Sequence, residues 1–355
     1  MNPASLPQPR KILVIRLSAI GDVLLVTPVI RALRKAFPMA QVDLLTYARN
    51  EPVLLENPYL SRLLLHPGKN LPGLQKLKFA RRLRLENYDW VFDMAATPRT
   101  AWLTLATGAR LRVGYAFRVR KWAFNHPVPK GKTFRKYQVE VNLDLLRDVG
   151  IPDDGIQTDL FLNAPEKEWA QKIFEPEEWR ALKWKIGLNA TGGWSSKRWP
   201  VSHWRGLIAL LHGKLGIRPI LLRGAGNEDL LQEIRSGLEE KTLLEPETDL
   251  RQSAAFISQL DLLVGNDGTP QHMAQALGVR SLTLCGPTWG LGWVKPDDPR
   301  HRYLQHFLDC GPCDFTVCPF PKEEGKDRHV YQECLVKIAP EKVITVIQDM
   351  LGNRI

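Results

Sequence analysis

Residues 11–32 read KILVIRLSAIGDVLLVTPVIRA, and a change of rhythm inside this stretch decides the fold class. Residues 12–15 are a short apolar run rich in β-branched side chains, which suits a strand buried on both faces of a parallel sheet. The periodicity breaks at Ser18-Ala19-Ile20-Gly21-Asp22. Leu24, Leu25, Val29, Ile30 and Leu33 then recur at helical spacing, so a helix resumes near Asp22. A strand that turns sharply into a helix sets its loop at the carboxyl end of the sheet, where open α/β folds bind ligands. Gly21 lets a ligand approach the backbone closely. Asp22 has two compatible roles here, a helix N-cap or a general base at the mouth of a cleft.

Moving outward, residues 41–47 and 88–94 read as further strands, with helical patterns between them. The alternation predicts a doubly wound α/β domain. No repeat of 20 to 50 residues is visible, which excludes a solenoid. Residues 151–183 lack strand signals and are rich in Pro, Asp, Glu and Trp, so a boundary is expected near 175, giving domains 1–175 and 176–355.

The second domain repeats the strand-to-loop-to-helix device. Residues 186–190 form a short strand, TGGWSSKRWP follows at 191–200, and a helix is expected over about 201–215. A loop holding Thr191, Gly192, Gly193 and Lys197 between strand and helix is a phosphate cradle, because amide N–H groups and the helix terminus favour negative charge. It lacks the Walker A spacing. A strand at 219–223 leads to Gly224-Ala225-Gly226-Asn227-Glu228. Read alone, Glu228 is first a carboxylate in the opening turn of a helix, favoured by the macrodipole, and second an acceptor for a ribose hydroxyl. The strand at 262–266 runs into Asp267-Gly268-Thr269-Pro270-Gln271-His272, which offers amides, a hydroxyl and an imidazole. A diphosphate held between this loop and the 191–197 loop is expected. Residues 281–285 read as a last strand and 340–351 as a closing helix.

A chain of 355 residues, 44% hydrophobic and 25% charged, is expected to be a two-domain globular protein. No run of about 18 apolar residues is present, so no transmembrane segment is expected. Residues 1–10 are polar and proline-containing, without a signal-peptide core, which places the protein in the cytoplasm. The net charge of +11 suits an anionic partner. Positive charge concentrates at 69–84, beginning with Lys69, and at 110–136. The second stretch carries Arg110, Arg112, Arg118, Arg120 and Lys121, then Lys130, Lys132, Arg135 and Lys136. Tyr115, Phe117, Trp122, Phe124 and Phe134 are interleaved. The mixture fits single-stranded nucleic acid, an anionic sugar or lipid headgroup at a membrane, or a solvated face over buried aromatic stems.

Of five cysteines, Cys285 sits in an apolar run and is expected in the core. Cys310, Cys313, Cys318 and Cys334 give C-x2-C-x4-C-x15-C, a spacing compatible with zinc or an iron–sulfur cluster. A cytosolic setting argues against stable disulfides. No base is paired with a reactive thiol in the sequence, so catalysis is not assigned to the cluster.

Several separated motifs occur in one order. Arg16-Leu17-Ser18-Ala19-Ile20-Gly21-Asp22 resembles the opening signature of the family 9 glycosyltransferases, the ADP-heptose:lipopolysaccharide heptosyltransferases. Asn266 to His272, then Ala274-Gln275-Ala276-Leu277-Gly278 and Gly286-Pro287-Thr288, resemble that family's donor-site signature. Lys197-Arg198-Trp199-Pro200 and the Gly224 to Glu228 turn fall in the family's order, and the likeness spans nearly the whole chain. The family usually reads Asp-Thr/Ser-Gly where this chain has Asp267-Gly268-Thr269, which moves the hydroxyl by one residue.

The resemblance implies an α/β protein of the GT-B fold, two Rossmann-like domains facing across a cleft. The first would bind the acceptor and the second the nucleotide sugar. It implies an inverting transfer with no cofactor and no metal. Asp22 would be the general base and Lys197 would neutralise the diphosphate. Thr191, Gly192 and Gly193 would line the phosphate pocket, and Glu228 would bind the ribose. Asp267, Gly268, Thr269 and His272 would hold the diphosphate and donor sugar. The expected partners are ADP-heptose and an anionic, lipid-linked saccharide of the lipopolysaccharide inner core at the cytoplasmic membrane face, with no nucleic acid. Two other functions stay open at this point: a family 9 enzyme using another nucleotide sugar, and a non-enzymatic nucleotide-sugar or nucleic-acid binding module.

Overall fold

The computed structural model describes residues 7–68, 70–129, 136–224, 226–320 and 331–352. Lys69, Lys130, Lys132, Phe134, Arg135 and Ala225, named above, lie outside the described residues. The chain divides into two compact units, Met1–Phe161 and Leu162–Ile355.

The first unit runs β1 (Lys11–Ile15), α1 (Ile20–Leu24), α2 (Thr27–Ala36), β2 (Gln41–Tyr47), β3 (Arg62–His66), α3 (Gly73–Leu85), β4 (Trp90–Asp93), α4 (Pro98–Thr107), β5 (Leu111–Tyr115), β6 (His126–Val128) and α5 (Gln138–Arg147). The strands pair in parallel in the order β3-β2-β1-β4-β5-β6. Ile12, Leu13, Val14 and Ile15 are wholly buried, as a central strand covered on both faces requires. The helix expected from Asp22 onward is split in two. Pro28 sits in the first turn of α2, where its missing N–H costs no hydrogen bond, and the Thr27 hydroxyl donates to Leu24 O at 2.7 Å.

The second unit runs α6 (Ala164–Ile173), α7 (Glu177–Arg180), β7 (Ile186–Asn189), α8 (Val201–Leu215), β8 (Ile220–Leu221), α9 (Glu228–Arg235), β9 (Leu243–Leu244), α10 (Leu250–Ile257), β10 (Leu262–Asn266), α11 (Thr269–Leu277), β11 (Arg280–Cys285), α12 (Gly290–Trp293), β12 (His301–Gln305), α13 (Glu333–Val336) and α14 (Pro340–Leu351). Its sheet is also parallel, in the order β12-β11-β10-β7-β8-β9. Taken within its own unit this is the same 3-2-1-4-5-6 winding as the first sheet, the dinucleotide-fold order. The two Rossmann-like halves expected of the GT-B class are therefore both present. The division falls before the expected position near 175, because α6 packs on α10, where Arg251 Nε donates to Glu166 Oε1 at 2.7 Å.

The basic stretch at 110–136 hides structure. It contains β5 and β6, with Tyr115 and Phe124 buried, while Trp122 is exposed. Two of the interleaved aromatics are thus core side chains and are closed to a stacked base. Cys285 is buried in β11, as expected.

Candidate active site

A parallel sheet wound in this order has one point where neighbouring strands send their loops to opposite faces, and the gap there is the natural ligand position. It lies between β1 and β4 in the first unit and between β7 and β10 in the second. The Asp22 loop stands at the first of these points, and the 191–197 and 267–272 loops stand at the second.

In the first unit, Arg16 leaves the end of β1. One guanidinium nitrogen, Nη1, donates to the Met94 carbonyl at the end of β4, and the other, Nη2, lies 3.0 Å from Asp22 Oδ1. Asp22 Oδ2 accepts the Ala19 amide at 3.3 Å. Ala19 is the N-cap of α1, and Asp22 is its third helical residue reaching back, so the simple N-cap assignment is corrected to this position. The Asp22 side chain is 21% exposed, and with one partner per oxygen it keeps acceptor capacity. The surrounding backbone is fixed. Asn50 Nδ2 donates to Ser18 O at 3.1 Å, and Asp93 accepts the Ala95 and Ala96 amides at 3.0 and 2.9 Å. Arg120, stacked 4.0 Å over the Phe117 ring, donates to Ala96 O at 3.0 Å. A basic residue read only as part of a charged run thus lies at the same strand ends as Asp22.

In the second unit, Lys197 Nζ lies 2.7 Å from Asp267 Oδ2, and the Thr288 hydroxyl donates to the same oxygen at 2.7 Å. Asp267 is 3% exposed. Burial alone would raise its carboxyl, but the charges of Lys197 and His272 and the hydrogen bonds from Lys197 and Thr288 outweigh that and hold it below the ordinary range. Lys197 Nζ also lies 4.4 Å over the Trp194 ring, and Trp293 meets His272 edge-on at 6.0 Å. Gly268 and Thr269 open α11, so its first amides point out of the same strand end. Asn266 ties the two loops, its Nδ2 donating to Ala190 O at 2.8 Å and its Oδ1 accepting Trp199 N–H at 3.0 Å.

The 191–197 loop is held from within. The Thr191 hydroxyl donates to Asn189 Oδ1 at 2.7 Å, and Arg198 Nε donates to Gly192 O at 3.2 Å. Gly193 is exposed. Glycine is needed at 265, where an added Cβ would stand 2.6 Å from Asn189 Cβ. The buried Asn189 Nδ2 has no hydrogen-bond partner among the described residues and lies about 4.0 Å from where a Gly268 Cβ would stand. That orphan amide was not singled out in the sequence, although a polar residue ending an apolar strand is the signal for it.

Glu228 is exposed at the first position of α9. The buried carboxylate nearby in the fold is Glu245, just past β9. It accepts Arg223 N–H at 2.7 Å and Ser253 Oγ at 3.0 Å. Burial pushes its carboxyl up to about 7, partly opposed by those bonds.

The four C-terminal cysteines are free thiols that line one cavity of about 80 Å³. Among the described residues, no three His, Cys, Asp or Glu side chains stand where they would hold a metal. Burial first, then the other three sulfurs, pushes the Cys334 thiol up to about 12. The segment carrying them braces the 191–197 loop and the turn after β11: Ser196 Oγ donates to Phe315 O at 2.6 Å, and the Asp314 amide donates to Pro287 O at 3.1 Å.

Comparisons with known proteins agree with this geometry. The family model described as glycosyltransferase family 9 (heptosyltransferase) matches residues 76–322. The chain is 29% identical over 286 residues to lipopolysaccharide heptosyltransferase 3 of Escherichia coli (strain K12), covering 77% of this chain and 81% of that one. The crystal structure of the family 9 glycosyl transferase from Veillonella parvula superimposes with a TM-score of 0.78 at 21% identity, covering 96% of this chain and 97% of that one. The E. coli heptosyltransferase WaaC with ADP-2-deoxy-2-fluoro heptose gives 0.68 at 20%, covering 96% and 99%. Two parallel sheets of shared winding, strand-end loops in the expected order and a family match over most of its length make this chain a glycosyltransferase of family 9, the heptosyltransferase family.

Proposed function

We propose that the chain transfers heptose from ADP-heptose to an anionic, lipid-linked saccharide of the lipopolysaccharide inner core, with inversion at the anomeric carbon. The observation that carries this is the Lys197–Asp267–Thr288 cluster beside the N-terminus of α11. A departing diphosphate accumulates charge on its oxygens, and a fixed ammonium and aligned amides stabilise it. Asp267, with its charge taken up by Lys197 and Thr288, is a positioning residue for that lysine. The names of the similar proteins support a heptose donor and a lipopolysaccharide acceptor.

In the proposed displacement the acceptor hydroxyl oxygen bonds to the anomeric carbon. Its proton passes to Asp22, and the bond from that carbon to the β-phosphate oxygen breaks with its electron pair, giving ADP. A single carboxylate base suffices, whereas a glycoside hydrolase needs a pair. Arg16 fixes the orientation of that base.

The test measures ADP release and heptose transfer in wild type and Asp22→Asn, with ADP-heptose affinity by calorimetry. Loss of turnover with donor affinity kept supports the assignment. Turnover unchanged in Asp22→Asn removes the base, and a preference for UDP-sugars over ADP-heptose replaces the donor. Donor binding with no turnover in wild type leaves a binding module.

A further inference from the structure

The first unit carries an apolar stripe that none of this chemistry uses. On α3, Leu74, Leu77, Arg81 and Leu85 stand at i, i+3, i+7 and i+11 and so share one helix face. The opposite face is the one that packs, with Phe79, Ala80 and Leu83 buried. The three leucines are 67%, 62% and 68% exposed. A single exposed leucine is ordinary, but three in line on one helix are an unpartnered face.

The charge around them has one sign. Lys76, Lys78, Arg81, Arg82 and Arg84 are all exposed on α3, and the helix contains no acidic residue. The packed neighbour, α4, exposes Trp102 and Leu105. Between the two helices lies a cavity of about 300 Å³ whose walls combine Phe79, Trp102 and Leu103 with Lys76, Arg99 and His66. Contacts lead from this cavity to the Asp22 loop. Tyr47 meets the His66 ring edge-on at 5.6 Å and accepts Arg99 Nη1 at 2.6 Å. Arg49 lies 5.6 Å from the centre of the same Tyr47 ring and donates to Ser18 O at 3.3 Å.

We infer that the α3–α4 face docks the protein on an anionic lipid bilayer, with Leu74, Leu77 and Leu85 entering the boundary between headgroups and acyl chains. Leucines among lysines and arginines are the chemistry of an interfacial helix: apolar area enters the bilayer and cations pair with phosphate headgroups. A nucleic-acid groove needs aromatic platforms for the bases, and the α3 stripe offers leucine instead. The inference rests on the proposed function in one respect, that a lipid-anchored acceptor held there is brought to the unit that carries Asp22.

Co-sedimentation with vesicles tests it. Wild-type protein is expected to partition onto vesicles of phosphatidylglycerol and phosphatidylethanolamine, weakly onto phosphatidylcholine alone, and less as salt is raised. The double variant Leu74→Ser, Leu77→Ser keeps the net charge and is expected to lose at least about tenfold in partition, since two apolar anchors are gone. Its melting temperature should match wild type because both side chains are exposed. Lys78→Ala with Arg82→Ala should weaken binding to the anionic vesicles alone. Unchanged partition of the serine variant, or preference of wild type for single-stranded DNA over the vesicles, overturns the inference. ADP release with a water-soluble, lipid-free acceptor, run in parallel, separates the two ideas. Vesicle binding in the expected pattern without ADP release from any acceptor fails the function and keeps the docking face. Turnover with no leucine effect on partition does the reverse.

Discussion

The two switch points share one strand order and use their aspartates in opposite ways. At the first, Asp22 is partly exposed, and each of its oxygens has a single partner, Arg16 or the Ala19 amide. At the second, Asp267 is almost fully buried, and one of its oxygens takes both Lys197 and Thr288. The first keeps acceptor capacity open, which suits the base proposed above. The second is built to hold a cation in place. The sheets supply only position, and the loops decide which chemistry stands there.

Breaking the first of these should have the largest effect. Asp22→Asn keeps an acceptor for the Ala19 amide but cannot take a proton, so turnover should fall by about 10²- to 10⁴-fold with donor affinity unchanged, read from kcat and from calorimetry. Lys197→Met strikes the second point. Loss of one preorganised cation at the leaving group should cost about 10²- to 10³-fold in kcat/KM, and ADP-heptose affinity should fall with it. If Lys197→Met left donor affinity intact, the contrast between the two points would be wrong. Thr288→Val tests the brace itself. Removing one donor from a buried carboxylate should destabilise the fold by about 1.5–3 kcal/mol in denaturant unfolding, and Lys197 should tolerate it better than its own removal.

The smallest effect sharpens the comparison through pH. Each sheet carries at a strand end a buried carboxylate whose pKa burial raises, Asp93 in the first and Glu245 in the second. Burial raises Asp93 to about 6 against the Ala95 and Ala96 amides, and raises Glu245 to about 7. Both folded-state values lie above the unfolded ones, so in this window the native state binds more protons than the unfolded state. Stability should therefore fall as pH rises from about 4 to about 7, by at most about 1.4 kcal/mol per pH unit for each group, and level off above. Asp93→Asn should flatten a thermal-unfolding profile between about pH 4 and about 6, and Glu245→Gln between about 4.5 and about 7.

How far the site could be read in advance depended on sequence distance. Asp22, Lys197, Asp267 and His272 stood out in the sequence because each sits in the loop after a strand or in the first turn of the helix that follows it. The strands at 41–47 and 262–266 and the helices at 201–215 and 340–351 were legible in full from periodicity. The strands β3 and β12 were not, because RLLLH and HRYLQ carry neither an alternating pattern nor a long apolar run. Neither was the pairing of Arg99 with Tyr47 across 52 residues, nor the orphan amide of Asn189. Glu228, expected to reach a ribose, is exposed at a helix start, and its role stands on the resemblance alone.

By itself the sequence determined the α/β class of both units and the loops that end their central strands, because burial on two faces and the switch from strand to helix period are local properties of a few residues. Only the tertiary structure decided which aspartate is open and which is spent. That depends on how many donors converge from elements far apart in the chain, such as Thr288 and Lys197 on Asp267. It likewise decided that the leucines of α3 face outward, because the periodic pattern of a helix names its faces without saying which one finds a neighbour.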